Sequence, residues 1–247
     1  PLVSIATMRG RSLYNIARSL EDQPGAGDTA IAYYRRAVET DPGYAMAYGN
    51  LGAALLRRGD LDEALAHLRR AIELQPSYAD HHHNLGTALG AAGDGAAAAT
   101  AYERALALDP NLADSHVNLG ALRQQAGDLD AAAQHYAAAI AIDPRLLAAR
   151  NNLGIVYALQ GDFDRAIDTL RAAADLDPRD RMARENLTLV LARGGRGDEA
   201  VAAFGALRHA GTSDIAILCG LADQLVSTGI DPQRLDAPRG CPPAAAR

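Results

Sequence analysis

The sequence predicts an all-α protein built as a stack of short helix–turn–helix units, and three regularities predict it. Pro42, Pro76, Pro110, Pro144 and Pro178 stand 34 residues apart. Asn-Leu-Gly recurs in phase with them at 50–52, 84–86, 118–120 and 152–154, decaying to Asn186-Leu187-Thr188. A Gly-Asp pair follows each complete triplet, at 59–60, 93–94, 127–128 and 161–162. Composition agrees: Trp is absent, Phe numbers two and Tyr nine among 247 residues, so an Ala-rich core of thin contacts between closely spaced helices is expected.

Within a unit the elements follow in order. The triplet lies on the first helix, where glycine costs roughly 1 kcal/mol relative to alanine. Its recurrence implies a neighbour too close for a side chain, expected to be another backbone. Ala64, Ala98, Ala132, Ala166 and Ala200, with Ala71, Ala105, Ala139 and Ala173, are the expected partners on the second helix. The glycine of Gly-Asp ends the first helix in a left-handed conformation and the aspartate caps the second, with Glu63 completing a capping box after Asp60. Asp-Pro at 41–42, 109–110, 143–144 and 177–178 closes the second helix, which proline cannot continue.

Six such units are expected, at 10–44, 45–78, 79–112, 113–146, 147–180 and 181–212. The first needs one extra residue in its "QPGAGD" turn. Leu13, Asn15, Ile16, Ala17 and Leu20 then take the places of Tyr48, Asn50, Leu51, Gly52 and Leu55, while Ala30, Tyr34 and Ala37 need no shift. In the last unit Thr212 replaces the proline; degenerate ends are what a repeat stack shows. Residues 1–9 form an N-terminal flank. A closing helix is expected over 213–229, capped near Ser213 or Asp214 and stopped at Gly229, with Leu218, Ala222, Leu225 and Val226 among its core stripe. A Pro/Ala-rich tail fills 230–247.

With the period, the Leu-Gly pair, the two alanine places, the closing proline and a large residue between the alanines (Leu68, Tyr102, Tyr136, Leu170, Phe204), the sequence resembles the tetratricopeptide repeat (TPR) family over residues 10–212. The resemblance implies a right-handed TPR solenoid of six repeats plus a C-terminal capping helix. It also implies that the first helices line a concave groove that takes an extended segment of a partner protein.

Asn15, Asn50, Asn84, Asn118, Asn152 and Asn186 share one column, six of the eight asparagines in the chain. Asparagine inside a helix costs roughly 0.5 kcal/mol against alanine, so something offsets the column. Either the carboxamides, each a donor and an acceptor, grip a peptide backbone, or they hydrogen-bond the neighbouring repeat. The column resembles that in the superhelical arm of O-linked N-acetylglucosamine transferases, which makes a substrate-recognition arm of a larger enzyme the alternative to a free scaffold. No stretch resembles the catalytic half of those enzymes. His83 and Asn151, one residue before the column, are further candidate peptide contacts.

Other functions are weakened by the same rows. The chain has no lysine, and Asp80 and Asp114 stand where the family's carboxylate clamp needs cations, so a chaperone C-terminal tail is not the expected partner. A formal charge of -6 argues against nucleic acid. No catalytic set, phosphate loop or cofactor motif is present, and a non-enzymatic role is expected. Successive side chains on a helix point about 100° apart, so His81, His82 and His83 are not read as a metal site; His82 takes a packing place, His83 the groove and His81 a flank. Cys219 and Cys241 are expected to be free thiols, since two cysteines give no framework. Without a signal-like start or an apolar run of membrane length, a cytoplasmic protein that does not enter membranes is expected.

Overall fold

Glycine sets the rhythm of the chain. Gly25, Gly59, Gly93, Gly127, Gly161, Gly195 and Gly229 all have positive φ, between 78° and 95°, and each follows a first helix at the same phase. Only glycine adopts this conformation without strain, and it lets the chain reverse within two residues. The structure, a computed structural model, describes residues 5–209, 215–235 and 241. The expected cap at Ser213 or Asp214, residues 1–4 of the flank, Thr212 and most of the tail lie outside the described residues.

The helices are α1 (Ile5–Glu21), α2 (Gly27–Thr40), α3 (Ala45–Arg58), α4 (Leu61–Leu74), α5 (Ala79–Ala91), α6 (Gly95–Leu108), α7 (Ala113–Gln125), α8 (Leu129–Ile142), α9 (Leu147–Leu159), α10 (Phe163–Leu176), α11 (Arg181–Arg193), α12 (Gly197–His209) and α13 (Ile215–Ser227), then a 3₁₀ turn at Pro232–Arg234. No strand occurs among the described residues. The protein is all-α, as expected. It divides into two compact units between Leu119 and Gly120, within α7.

In the first unit α1 packs on α2, α3 on α4 and α5 on α6, and successive pairs meet through α2–α3 and α4–α5. Its core includes Tyr14, Ala17, Ile31, Tyr34, Val38, Leu51 and Leu55. Leu51 is fully buried, whereas Ile16, which takes the same place in α1, is 41% exposed. In the second unit α9–α10 and α11–α12 repeat the pairing. There Ile167, Leu170, Phe204, Leu207, Leu218, Leu225, Ile230 and Leu235 share one cluster.

Two local expectations are corrected. The glycine of each triplet makes room first for a side chain of the second helix, and the expected backbone is near only at Gly52, where the Ala64 carbonyl would lie 3.1 Å from a Cβ. A Cβ at Gly52 would lie 2.5 Å from Leu68 Cγ, at Gly86 2.8 Å from Tyr102, at Gly120 2.9 Å from Tyr136 and at Gly154 2.5 Å from Leu170 Cγ. The alanine columns at 64, 98, 132, 166 and 200 are fully buried. The capping box after Asp60 does not form either, and the Asp60 side chain makes no cap bond. Arg58 takes the Asp60 carboxylate, Arg35 holds Glu63 through three contacts of 2.7–3.1 Å, and the Asp60 N–H already donates to the Leu55 carbonyl at 3.0 Å. Asp94, Asp128 and Asp162 do cap their helices, at 3.0–3.1 Å from the backbone N–H three residues on.

The Asp of Asp-Pro has its own role. Asp109, Asp143 and Asp177 each accept from the N–H two residues on at 2.9 Å, an Asx turn that fixes the bend around the proline.

Candidate functional site: the asparagine column

Each column asparagine precedes the leucine or isoleucine of its triplet and so sits beside the buried stripe. Asn50, Asn84, Asn118, Asn152 and Asn186 are half-buried, and Asn15, on the first pair, is exposed. Each faces the large residue 16 positions upstream, on the second helix of the preceding pair. Where that residue is tyrosine, the asparagine holds its hydroxyl. Asn50 Nδ2 donates to Tyr14 Oη at 3.1 Å and more loosely to Tyr34 Oη at 3.4 Å. Asn118 faces the Tyr102 hydroxyl and lowers its pKa against the effect of burial, and that hydroxyl donates to Thr87 Oγ1 at 3.1 Å. Asn152 does the same for Tyr136, whose hydroxyl donates to Gln124 Oε1 at 3.1 Å. Burial pushes Tyr136 up to about 12 against the pull of the Asn152 bond.

Where the upstream residue is leucine, no hydroxyl is offered. Asn186, facing Leu170, turns instead to Asn151 and donates to its Oδ1 at 2.9 Å. Asn84, facing Leu68, meets no tyrosine hydroxyl and makes no hydrogen bond among the described residues. The signal is in the sequence: Tyr34/Asn50, Tyr102/Asn118 and Tyr136/Asn152 share one 16-residue offset.

The residue before each asparagine lies on a seam between successive first helices, where large meets small. Gly49 leaves room for the His81 ring, which a Cβ there would approach to 2.4 Å. His83 Nδ1 lies 2.7 Å from Ser115 Oγ, and Ser115 is fully buried. Asn151 is only 4% exposed, with its carbonyl committed to Asn186. His81 is no flank: it is 1% exposed, packs at 4.6 Å from the Tyr78 ring, and burial holds its pKa down to about 4. Its Nε2 has no hydrogen-bond partner among the described residues.

His82 is buried, and its Nε2 lies 2.9 Å from the carbonyl of Pro76. His116, Arg150 and Arg184 reach the carbonyls of Pro110, Pro144 and Pro178 in the same way. This column therefore satisfies an acceptor that the end of the second helix leaves open. Among the described residues no group of three or more His, Cys, Asp or Glu is arranged to hold a metal ion. Burial lowers the His83 pKa, opposed by Asp114 and Asp80. Both aspartates are exposed and carry no ion pair among the described residues.

A model of the TPR repeat matches residues 54–93 and 91–127, and models of the tetratricopeptide repeat match 33–66, 111–179 and 148–215. The chain belongs to the tetratricopeptide repeat family. No curated relative matches the sequence. Among solved structures this TPR chain is similar to MamA, at 24% identity and a TM-score of 0.59 over 72% of this chain and 98% of that one. It is similar to YrrB, described as a TPR protein with an unusual peptide-binding site, at 25% identity and 0.58 over 73% and 96%. PilF of Pseudomonas aeruginosa matches at 22% identity and 0.64 over 77% and 86%. Such a chain is a protein-interaction scaffold. No described helix is long and apolar enough to cross a membrane.

The expectation of free thiols is overturned. Cys219 and Cys241 form a disulfide, with Cα atoms 5.4 Å apart. A separation of 22 residues says nothing about spatial approach, and the fold supplies it.

Proposed function

We propose that the asparagine-bearing face of the first helices binds an extended, cationic segment of a partner protein, with Asn84 as its main-chain contact. The observation that carries this reading is the half-buried Asn84 carboxamide, which keeps both its donor and acceptor capacity while Asn50, Asn118, Asn152 and Asn186 are engaged within the fold. A carboxamide matches the alternating N–H and C=O of an extended backbone without reading side chains. The exposed Asp80 and Asp114 on either side of His83 supply the charge preference, favouring Arg or Lys on the ligand and opposing a free carboxylate terminus. YrrB, a peptide binder of the same family by its description, lends the mode support. The role is non-enzymatic, and it holds equally for a free scaffold or for the substrate-selecting arm of a larger enzyme.

An immobilised library of random peptides, blocked at both termini, tests the reading. Bound sequences should be enriched in Arg and Lys, and Asn84→Ala should reduce their capture about tenfold, equivalent to roughly one charge-free hydrogen-bond pair. Capture that is indifferent to Asn84→Ala, or that selects acidic peptides, removes the proposal.

A further inference from the structure

The end of the second unit carries a pattern that no other repeat shares. Gly229, with φ of +95°, lies one period after Gly195, with φ of +78°. α13 therefore ends in the same left-handed turn as the first helices before it. Counting back from Cys219 by the same period reaches Glu185, Asn151, Val117, His83 and Gly49, the seam column. Gly49 is covered by His81, His83 by Ser115 and Asn151 by Asn186, each on the next first helix. Over Cys219, which is 3% exposed, the cover is Cys241.

The segment leading from the turn is anchored as well. Ile230 and Leu235 are buried with Phe204, Leu218, Leu221 and Leu225 in one cluster, and Arg234 pairs with Asp198 at the start of α12. We infer that the Cys219–Cys241 disulfide is a redox-closed end cap of the repeat stack, a covalent stand-in for the next first helix.

The chemistry balances with a disulfide as oxidant. One thiolate attacks oxidised glutathione, breaking its S–S bond and releasing one glutathione thiolate. The second cysteine thiolate then displaces the other glutathione from the mixed disulfide. Two protein thiols thus lose two protons and two electrons, and two glutathione thiols are formed. Such a bond persists where thiols are not kept reduced, which favours an oxidising compartment over the cytoplasmic expectation. Closing the loop removes conformational freedom from the opened tail and holds Ile230 and Leu235 in the core.

The full chain, equilibrated with oxidised glutathione or with dithiothreitol, provides the test. Alkylation should label neither cysteine in the oxidised protein and both in the reduced one. Tryptic cleavage after Arg234 should accelerate on the order of 100-fold on reduction, as expected for a disulfide closing a loop of this length. Cys241→Ser should be cleaved at the fast rate under both conditions with unchanged helicity. Two alkylatable thiols after oxidised glutathione, or one cleavage rate for all three forms, overturns the inference.

Discussion

Burial drives the seam residues of the two units in opposite titration directions. In the first unit the seam holds His83, whose pKa burial lowers against the nearby Asp114 and Asp80. In the second it holds Glu185, whose pKa burial raises against the pull of Arg181, 2.9 Å away. One cause, removal from water, pushes a base and an acid toward their neutral forms. The seam accepts polar groups and disfavours charge.

The largest expected effect follows from the same contrast. His81 has a folded pKa of about 4 against an ordinary value of 6.5, so between those values the unfolded chain binds more protons. Stability is complete above pH 6.5 and is lost as pH falls toward 4, by roughly 2–3 kcal/mol. His83 acts in the same direction. Glu185 has the opposite sign: its raised folded value contributes stability at low pH that is lost as pH rises through it. Amide hydrogen exchange at pH 4 and pH 7 should show α3 and α5 loosening on acidification before α10 and α11 do. His81→Leu should flatten the response of the first unit. Equal loosening in both units would falsify the assignment.

How far the sequence speaks depends on the range of the interaction. The turn glycines, the Asp caps at 94, 128 and 162 and the closing prolines act within a few residues, and a single repeat displays them. Asp60 and Glu63 form no capping box: the Asp60 N–H donates to Leu55, and Arg58 and, from another helix pair, Arg35 hold the two carboxylates. The asparagine column was legible as a column, but its members' partners lie in other repeats: Asn50 meets Tyr14 and Tyr34, and Asn186 meets Asn151. The place of His81 depended on Gly49, in the preceding repeat. The disulfide was hidden for the same reason: one pair of cysteines has no spacing pattern, and only the packed tail brings them together.

An intermediate effect separates two glycines of α5. Gly86 supports the Tyr102 ring, with an added Cβ only 2.8–3.0 Å from three ring atoms, whereas at Gly90 the nearest atom is 3.9 Å away. Gly86→Ala should cost about 1–3 kcal/mol through overpacking, and should also disturb the hydroxyl held by Asn118. Gly90→Ala should stabilise by about 0.5–1 kcal/mol, because alanine fits the helix and restricts the unfolded chain. Urea denaturation of the two variants should move the midpoint in opposite directions. A shared direction would show that the triplet glycine is not set by the ring.

The smallest stability effects decide between the two kinds of asparagine. Asn118→Ala leaves the buried Tyr102 hydroxyl with Thr87 alone and should cost about 1 kcal/mol. Asn84→Ala removes no internal bond and should be neutral or stabilising by about 0.5 kcal/mol from helix propensity. Leu68→Tyr makes the second repeat resemble the third at this place. The tyrosine has a precedent for its fit, since Tyr102 and Tyr136 pack on Gly86 and Gly120 as Leu68 packs on Gly52. Its hydroxyl should engage Asn84, so Asn84→Ala in the Leu68→Tyr background should cost about what Asn118→Ala costs. Peptide capture should fall in Leu68→Tyr although Asn84 itself is intact. A double-mutant cycle across residues 68 and 84 measures the coupling. Zero coupling with lost capture would mean that the tyrosine blocks the face sterically, while coupling with full capture would mean that an engaged carboxamide still serves the ligand.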